Sequence, residues 1–204
     1  MLKKRPYIIV GIVMCCAVLL TANIIRNSST ETVDGAALRQ KYPVITNSQY
    51  TFDTQEYCFE DRIKSAPNIA HIKITEPLPD YSIAIRDDEF GISNTMVFHQ
   101  YKAAVISDMG KTNFSIDSDN TITICFASVF SASYPALSEG MELICSIEPA
   151  AGEHTGKYLL YDKSIYYVDS GMALAAYESD DSIAKNYCKK DKLVKQIKNI
   201  RNKR

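Results

Sequence analysis

Residues 119–130 read DNTITICFASVF, and this stretch decides the fold class. Three large apolar side chains alternate in it with three smaller ones: Ile122, Ile124 and Phe126 against Thr121, Thr123 and Cys125. A period of two residues is typical of a half-buried β-strand, because successive side chains on a strand point to opposite faces. Asp and Asn before the alternation are common turn residues. The stretch therefore predicts a strand entered from a turn.

Similar patterns lie on both sides of this strand. They cover residues 68–78, 80–88, 95–107, 140–150 and 156–179, the last with turns expected at 162–164 and 169–171. Several short strands separated by turn residues predict an all-β barrel or sandwich. A closed barrel has the advantage that it leaves no long unpaired strand edge.

A short helix is expected ahead of the strands. Asp53 and Glu56 have the spacing of a capping box, and Pro67 ends the apolar pattern of Phe59 and Ile63.

The succession of these strand sequences resembles that found in a large group of exported Firmicutes proteins. The resemblance covers about residues 66–178, through AHIKI (70–74), FHQYKAAVISDMGK (98–111), TITICFAS (121–128), ALSEGMELICSIEP (136–149), GKYLLYDKSIYYVD (156–169) and LAAY (174–177). Domains of that group resemble OB-type barrels, a type also found in the tissue inhibitors of metalloproteinases. The resemblance implies a mainly β fold, a small OB-like β-barrel with flanking helices. Inhibition would need a free N-terminal cysteine, so that activity is not implied.

Residues 6–25 contain no charged side chain and follow Lys3, Lys4 and Arg5. A charge-free, predominantly apolar run of 20 residues matches a transmembrane helix, which spans a hydrocarbon core of about 30 Å. The length favours an uncleaved anchor over a cleaved signal peptide, which would leave a secreted protein, and over a buried helix of a soluble protein. The basic residues predict a cytoplasmic N-terminus and an extracytoplasmic main domain.

Four regions are therefore expected along the chain. They are a basic stub with a membrane anchor (1–26), a linker (27–52), a barrel domain with its leading helix (53–182) and a basic amphipathic helix (183–204).

Charge is unevenly distributed along the chain. Residues 27–188 hold 11 basic and 23 acidic side chains, a net charge of −12, whereas residues 189–204 have a net charge of +7. An acidic body argues against nucleic acid as a partner, because binding phosphates needs clustered cations.

Four cysteines fall in the region expected to be exported. An oxidising compartment would permit two disulfides, and the preferred pairing is Cys125 with Cys145 and Cys58 with Cys188. Free buried thiols are the alternative.

The tail has two interpretations. Its apolar side chains at helical spacing either dock on the barrel or leave the basic side free to contact a membrane or wall polymer. The candidate contacts are Lys190, Lys195, Lys198 and Arg201.

No catalytic, cofactor or metal motif is recognisable. Residues 117–120 have some oxygen ligands of a calcium loop but lack its Gly and distant Glu, so an ordinary turn is expected. Residues 87–89 fit a solvated acidic loop. The three histidines (His71, His99 and His154) lack zinc-site spacing.

These features favour a non-enzymatic binding module, anchored in the bilayer by residues 6–25 and contacting an envelope protein or wall polymer. Loops at one barrel mouth, 86–95 and 107–120, are the expected binding surface. The alternatives are an envelope enzyme or protease-inhibitor-like protein whose site assembles only in three dimensions, and a structural spacer.

Overall fold

The structure is a computed structural model that describes residues 35–45, 59–87, 92–109, 116–177 and 187–203, all within one compact unit. Its helices are α1 (Gly35–Lys41), α2 (Phe59–Ser65) and α3 (Lys190–Asn202), with short 3₁₀ helices at Ser128–Ser133 and Gly152–His154. Its strands are β1 (Asn68–Asp87), β2 (Ile92–Asp108), β3 (Thr121–Ala127), β4 (Glu142–Pro149), β5 (Tyr158–Asp169), β6 (Met172–Ala175) and β7 (Cys188–Lys189).

The first five strands close into a barrel. Strands run in the order β3-β2-β1-β4-β5, and a parallel pairing between β3 and β5 joins the two ends. That pairing sets Ile124 beside Tyr158 and Cys125 beside Leu159. The predicted mainly β fold is confirmed, and closure of the sheet selects the barrel over the sandwich.

Strand β1 is longer than expected from the sequence. The stretches 68–78 and 80–88 were predicted as two strands, but one strand runs from Asn68 to Asp87. Pro79, between them, lies at a register shift, where β1 bulges against β2, whereas Pro77 stays in register opposite Tyr101. Pro79 and Asp80 together face the single residue His99. A proline is tolerated at such a bulge because no ladder hydrogen bond is needed there.

Strand β5 is also continuous where a turn was expected. The predicted turn at 162–164 is wrong, because β5 runs as one strand from Tyr158 to Asp169. Residues 161–164 form a bulge in it, opposite Ser146 of β4. The turn predicted at 169–171 is confirmed as the β5–β6 connection. Ser170 and Gly171 both have positive φ, 50° and 75°. A type I′ turn, common in two-residue β-hairpin loops, requires positive φ at both central residues.

Part of the segment expected to be a linker, 27–52, is folded onto the barrel as α1. Tyr42 follows this helix and stacks on Tyr167 with ring centroids 4.8 Å apart. Its hydroxyl donates to a carboxylate oxygen of Asp169 at 2.9 Å. A seven-residue helix is too short to show a clear apolar period, so these long-range contacts, rather than its sequence, hold it in place.

Two apolar layers stabilise the domain. The barrel interior is filled by side chains such as Ile72, Leu143 and Cys145, each fully buried. Neighbouring residues on the same strands point outward. There they form a second cluster with α2 and α3: Phe59, Ile63, Ala66, Ile69, Met109, Ile144, Tyr166, Val168, Ala173, Ala175, Leu193 and Ile197.

Several predictions fall on residues that the structure does not describe. They are the anchor at 6–25, the capping box at Asp53 and Glu56, Cys58, and parts of the loops 86–95 and 107–120. Among the described helices, none has the length and apolar character needed to cross a bilayer.

Candidate functional site

Three rings from distant parts of the chain pack together on the outer side of the barrel. Tyr81 stacks on Phe98 with centroids 5.3 Å apart, and Phe98 meets the His154 ring at 4.4 Å, edge to face. The Tyr81 hydroxyl lies 2.6 Å from His154 Nδ1, a hydrogen-bond distance. We call Tyr81, Phe98, Cys125, His154 and Lys157 the tyrosine–histidine cluster.

Strand pairing brings the cluster together. Tyr81 on β1 is directly opposite Phe98 on β2, and two residues further Gln100 is opposite Cys125 on β3. Residues opposite each other, and residues two apart on one strand, share a face of the sheet. His154 comes from the β4–β5 connection, where the 3₁₀ turn Gly152–His154 folds back over this face.

Cys125 lies beneath the tyrosine and is fully buried. Its Sγ accepts a hydrogen bond from the Tyr81 hydroxyl at 3.4 Å. Burial raises the pKa of the Cys125 thiol, and the lowering effects of Tyr81 and Lys157 do not offset it. A thiol with a raised pKa stays protonated at neutral pH and is a poor nucleophile. Burial likewise raises the pKa of the Tyr81 hydroxyl.

Lys157 completes the cluster on the solvent side. Its ammonium lies 4.4 Å from the centroid of the Tyr81 ring, within the range of a cation–π contact. The partly exposed surface of the cluster is formed by Tyr81, His154 and Lys157. It offers a cation, an imidazole and an aromatic hydroxyl, all of which can hydrogen-bond to a ligand.

The tyrosine ring is expected to shield Cys125 from solvent. Replacing Tyr81 with alanine should therefore make Cys125 react many-fold faster with a small thiol reagent, because the ring that covers its sulfur is gone. Mass spectrometry of the labelled peptides would measure the rate at each cysteine. Tyr81→Phe is the control, since it keeps the ring and should leave Cys125 slow to react. Equal rates in the wild type and in Tyr81→Ala would contradict this arrangement.

The other two histidines are kept apart from this cluster. His99 follows Phe98 and therefore points to the opposite face of β2. Its Nδ1 lies 3.0 Å from a carboxylate oxygen of Asp80 in the β1 bulge. His71 is buried, with Nε2 3.2 Å from Glu142. Burial lowers the pKa of the His71 imidazole more than Glu142 raises it, so this ring is neutral at pH 7.

The preferred disulfide between Cys125 and Cys145 is not present, and both residues are free buried thiols. Strand β5 separates the strands that carry them. Two strand spacings amount to about 9–10 Å, and a disulfide needs Cα atoms within about 7 Å. Cys188 is also a free thiol. Its predicted partner, Cys58, is outside the described residues, so that pairing stays a prediction.

The tail residues divide into two groups. Lys195 and Lys198 are exposed and Lys190 is partly exposed. Arg201 was wrongly assigned to the contact surface, because it is buried and its guanidinium donates to the backbone oxygens of Ile63, Ala66 and Pro67. The carbonyls at the end of α2 need donors, which explains why a cation lies on the inner side of α3.

The expected turn at Asp117–Asn120 is confirmed. Asn120 has a φ of 62°, and its backbone N–H donates to Asp117 O at 2.9 Å. The Asp119 carboxylate accepts hydrogen bonds from Lys102 and Thr121, which lower its pKa to about 2. Over the described residues, no group of His, Cys, Asp and Glu side chains has a metal-binding arrangement.

Comparison with known proteins places the chain in no group. No family model matches its sequence, and no curated protein matches it either. The class defined here is therefore a structural one, a small closed β-barrel with helices α1, α2 and α3 packed on it in the described part of the chain.

Sequence reasoning missed the tyrosine–histidine cluster. Its members lie up to 76 positions apart, from Tyr81 to Lys157, with no fixed spacing that indicates a site. Only the alternation on β3, which sets Cys125 on the face opposite Ile124, was visible in the sequence.

Proposed function

We propose that the protein is a membrane-anchored, extracytoplasmic binding module with an OB-like barrel. The support for the anchor is the charge-free run at 6–25 behind three basic residues. The support for the OB-like assignment is a five-stranded barrel that is closed by the parallel pairing of β3 with β5.

The observation that carries this proposal is the position of the tyrosine–histidine cluster. OB-type barrels bind ligands on the face of strands 2 and 3, next to the β1–β2 and β4–β5 loops. Phe98 and Cys125 occupy that face, and His154 and Lys157 come from the β4–β5 connection. The polar side of the cluster is therefore the surface we assign to the partner.

The favoured partner is a wall polymer or another envelope protein. Nucleic acid fits poorly, because the body carries a net charge of −12 and the cluster supplies one lysine. Oligosaccharides are common ligands of OB-type barrels, and an aromatic hydroxyl, an imidazole and an ammonium can all bond to sugar hydroxyls or carboxylates.

Reversing the charge of Lys157 tests this assignment. Lys157→Glu is expected to weaken binding by about tenfold, or about 1.4 kcal/mol, since residues near the centre of an interface contribute more than about 1 kcal/mol. Binding would be measured with the full-length chain, by co-sedimentation with purified wall polymer and by cross-linked pull-down from envelope membranes.

Lys64→Glu is the matched control. Lys64 lies on α2, away from the strand 2 and 3 face, in an exposed pair with Glu60, so binding should be unchanged. Clear turnover of a wall substrate, with neither polymer nor protein retained by the wild-type chain, would overturn the proposal.

An envelope enzyme or inhibitor remains the second candidate. It receives less support, because His99 and His154 lie on opposite faces of the barrel wall and the Cys125 thiol is protonated.

A further inference from the structure

Docking of α3 accounts for only one side of this helix. Leu193, Ile197 and Arg201 are buried at a spacing of four residues. Lys192, Lys195 and Lys198 are exposed and, at about 100° per residue, are centred on the opposite side. Docking on the barrel and contact with a membrane or wall polymer are therefore compatible. The apolar side of α3 packs against the domain, and the lysine side faces solvent.

Among the described residues, these three lysines have no ion-pair partner. Lys102 on β2, for comparison, lies 2.8 Å from a carboxylate oxygen of Asp119. Across the ranges that the structure describes, by contrast, Lys192, Lys195 and Lys198 have no carboxylate within 4.0 Å. The row is thus available to an anionic surface outside the domain.

The chain that leads to the anchor enters the domain next to this helix. The backbone of Gly35 lies directly against the ring of Tyr187, and a Cβ added at Gly35 would overlap it. Tyr187 is three residues before the start of α3. Only nine residues, 26–34, separate Gly35 from the predicted anchor, and nine residues span at most about 30 Å.

We propose that Lys192, Lys195 and Lys198 bind anionic lipid headgroups of the bilayer that holds the anchor, making α3 a second membrane contact. This inference rests on the anchor in the proposed function. A lysine near an anionic surface strengthens binding about fivefold, so three lysines alone bind weakly. A short tether keeps them at a high effective concentration, which makes a weak contact sufficient. The contact would restrict how the barrel is oriented over the bilayer.

Lysine modification on the full-length chain tests the contact. The chain would be placed in nanodiscs of neutral phosphatidylcholine or of phosphatidylcholine with 30% phosphatidylglycerol. A water-soluble acylating reagent would then be applied and each lysine followed by mass spectrometry. We expect Lys192, Lys195 and Lys198 to be protected in anionic nanodiscs only, and the protection to be lost at about 1 M salt because charges are then screened within about 3 Å. Lys64 and Lys73 should react equally in both.

Two charge-matched double variants separate the helix from general attraction. In Lys195→Gln/Lys198→Gln the protection of Lys192 should fall by about 25-fold. In Lys64→Gln/Lys73→Gln it should persist. Equal modification in both nanodiscs, with the chain fully incorporated, would overturn the α3 contact alone. Failure of the chain to enter any nanodisc would overturn the anchor as well. Protection by an added anionic wall polymer, but not by anionic lipid, would overturn the membrane contact in favour of the polymer.

Discussion

Replacing Ile197 with alanine is expected to lower the free energy of unfolding by about 2–5 kcal/mol, the range for a large buried aliphatic side chain. Ile197 is fully buried between α3 and the outer face of the barrel. Its truncation leaves a cavity among Ile63, Ile144 and Leu193, which belong to the same cluster. Urea unfolding of the full-length chain in detergent micelles would measure the loss, followed by the near-ultraviolet circular dichroism of its tyrosines, since the chain has 13 tyrosines and no tryptophan.

Lys198→Ala is the control for this experiment. It is the next residue on the same helix and is exposed, so its replacement should change stability by less than about 0.5 kcal/mol. An equal, small effect of both substitutions would mean that α3 is not part of the folded domain. Such a result would also remove the geometric basis for the lysine row.

Replacing Arg201 with methionine is expected to cost about 2–4 kcal/mol, since hydrogen bonds from a charged donor are lost and buried acceptors are left without a partner. The guanidinium reaches three backbone oxygens, with Nη2 3.0 Å from Pro67 O and Nη1 donating to Ala66 O and Ile63 O. Methionine fills a similar volume, so the loss reports the hydrogen bonds rather than a cavity. The same urea titration measures it.

Arg201→Lys should recover only part of this loss. Lysine keeps the charge but lacks the planar fork that reaches several carbonyls at once. Full recovery by lysine would show that charge alone matters at this position. No loss in either variant would contradict a structural role for the buried guanidinium, and would return Arg201 to the exposed group of the helix.

Ile197 and Arg201 also show what helical spacing can predict and what it cannot. A period of 3.6 residues showed that the tail is amphipathic, and Ile197 belonged to the expected apolar stripe. The same period did not reveal that Arg201 faces inward, because a buried cation is stabilised by particular acceptors. Those acceptors are carbonyls at the end of α2, more than 130 residues earlier in the chain.

The candidate site shows the same division. The strand that carries Phe98 and the turn before Thr121 were predictable, because alternation and turn residues are local signals. The contact of Tyr81 with His154 was not, since it depends on the register of β1 against β2 and on the fold of the β4–β5 connection. Two bulges of β1, at Thr75 and at Pro79–Asp80, shift that register, and no local pattern gives their number.

The sequence by itself determined the class of the protein, a β-rich domain with a basic amphipathic tail, because hydrophobic periodicity is a property of neighbouring residues. Tertiary structure alone decided that the sheet closes through β3 and β5, that α1 packs on the barrel, that Cys125 and Cys145 stay apart, and that Arg201 is buried. Each of these features depends on contacts between residues far apart in the chain. The free energy of such contacts comes from several elements packing together, and no single segment encodes it.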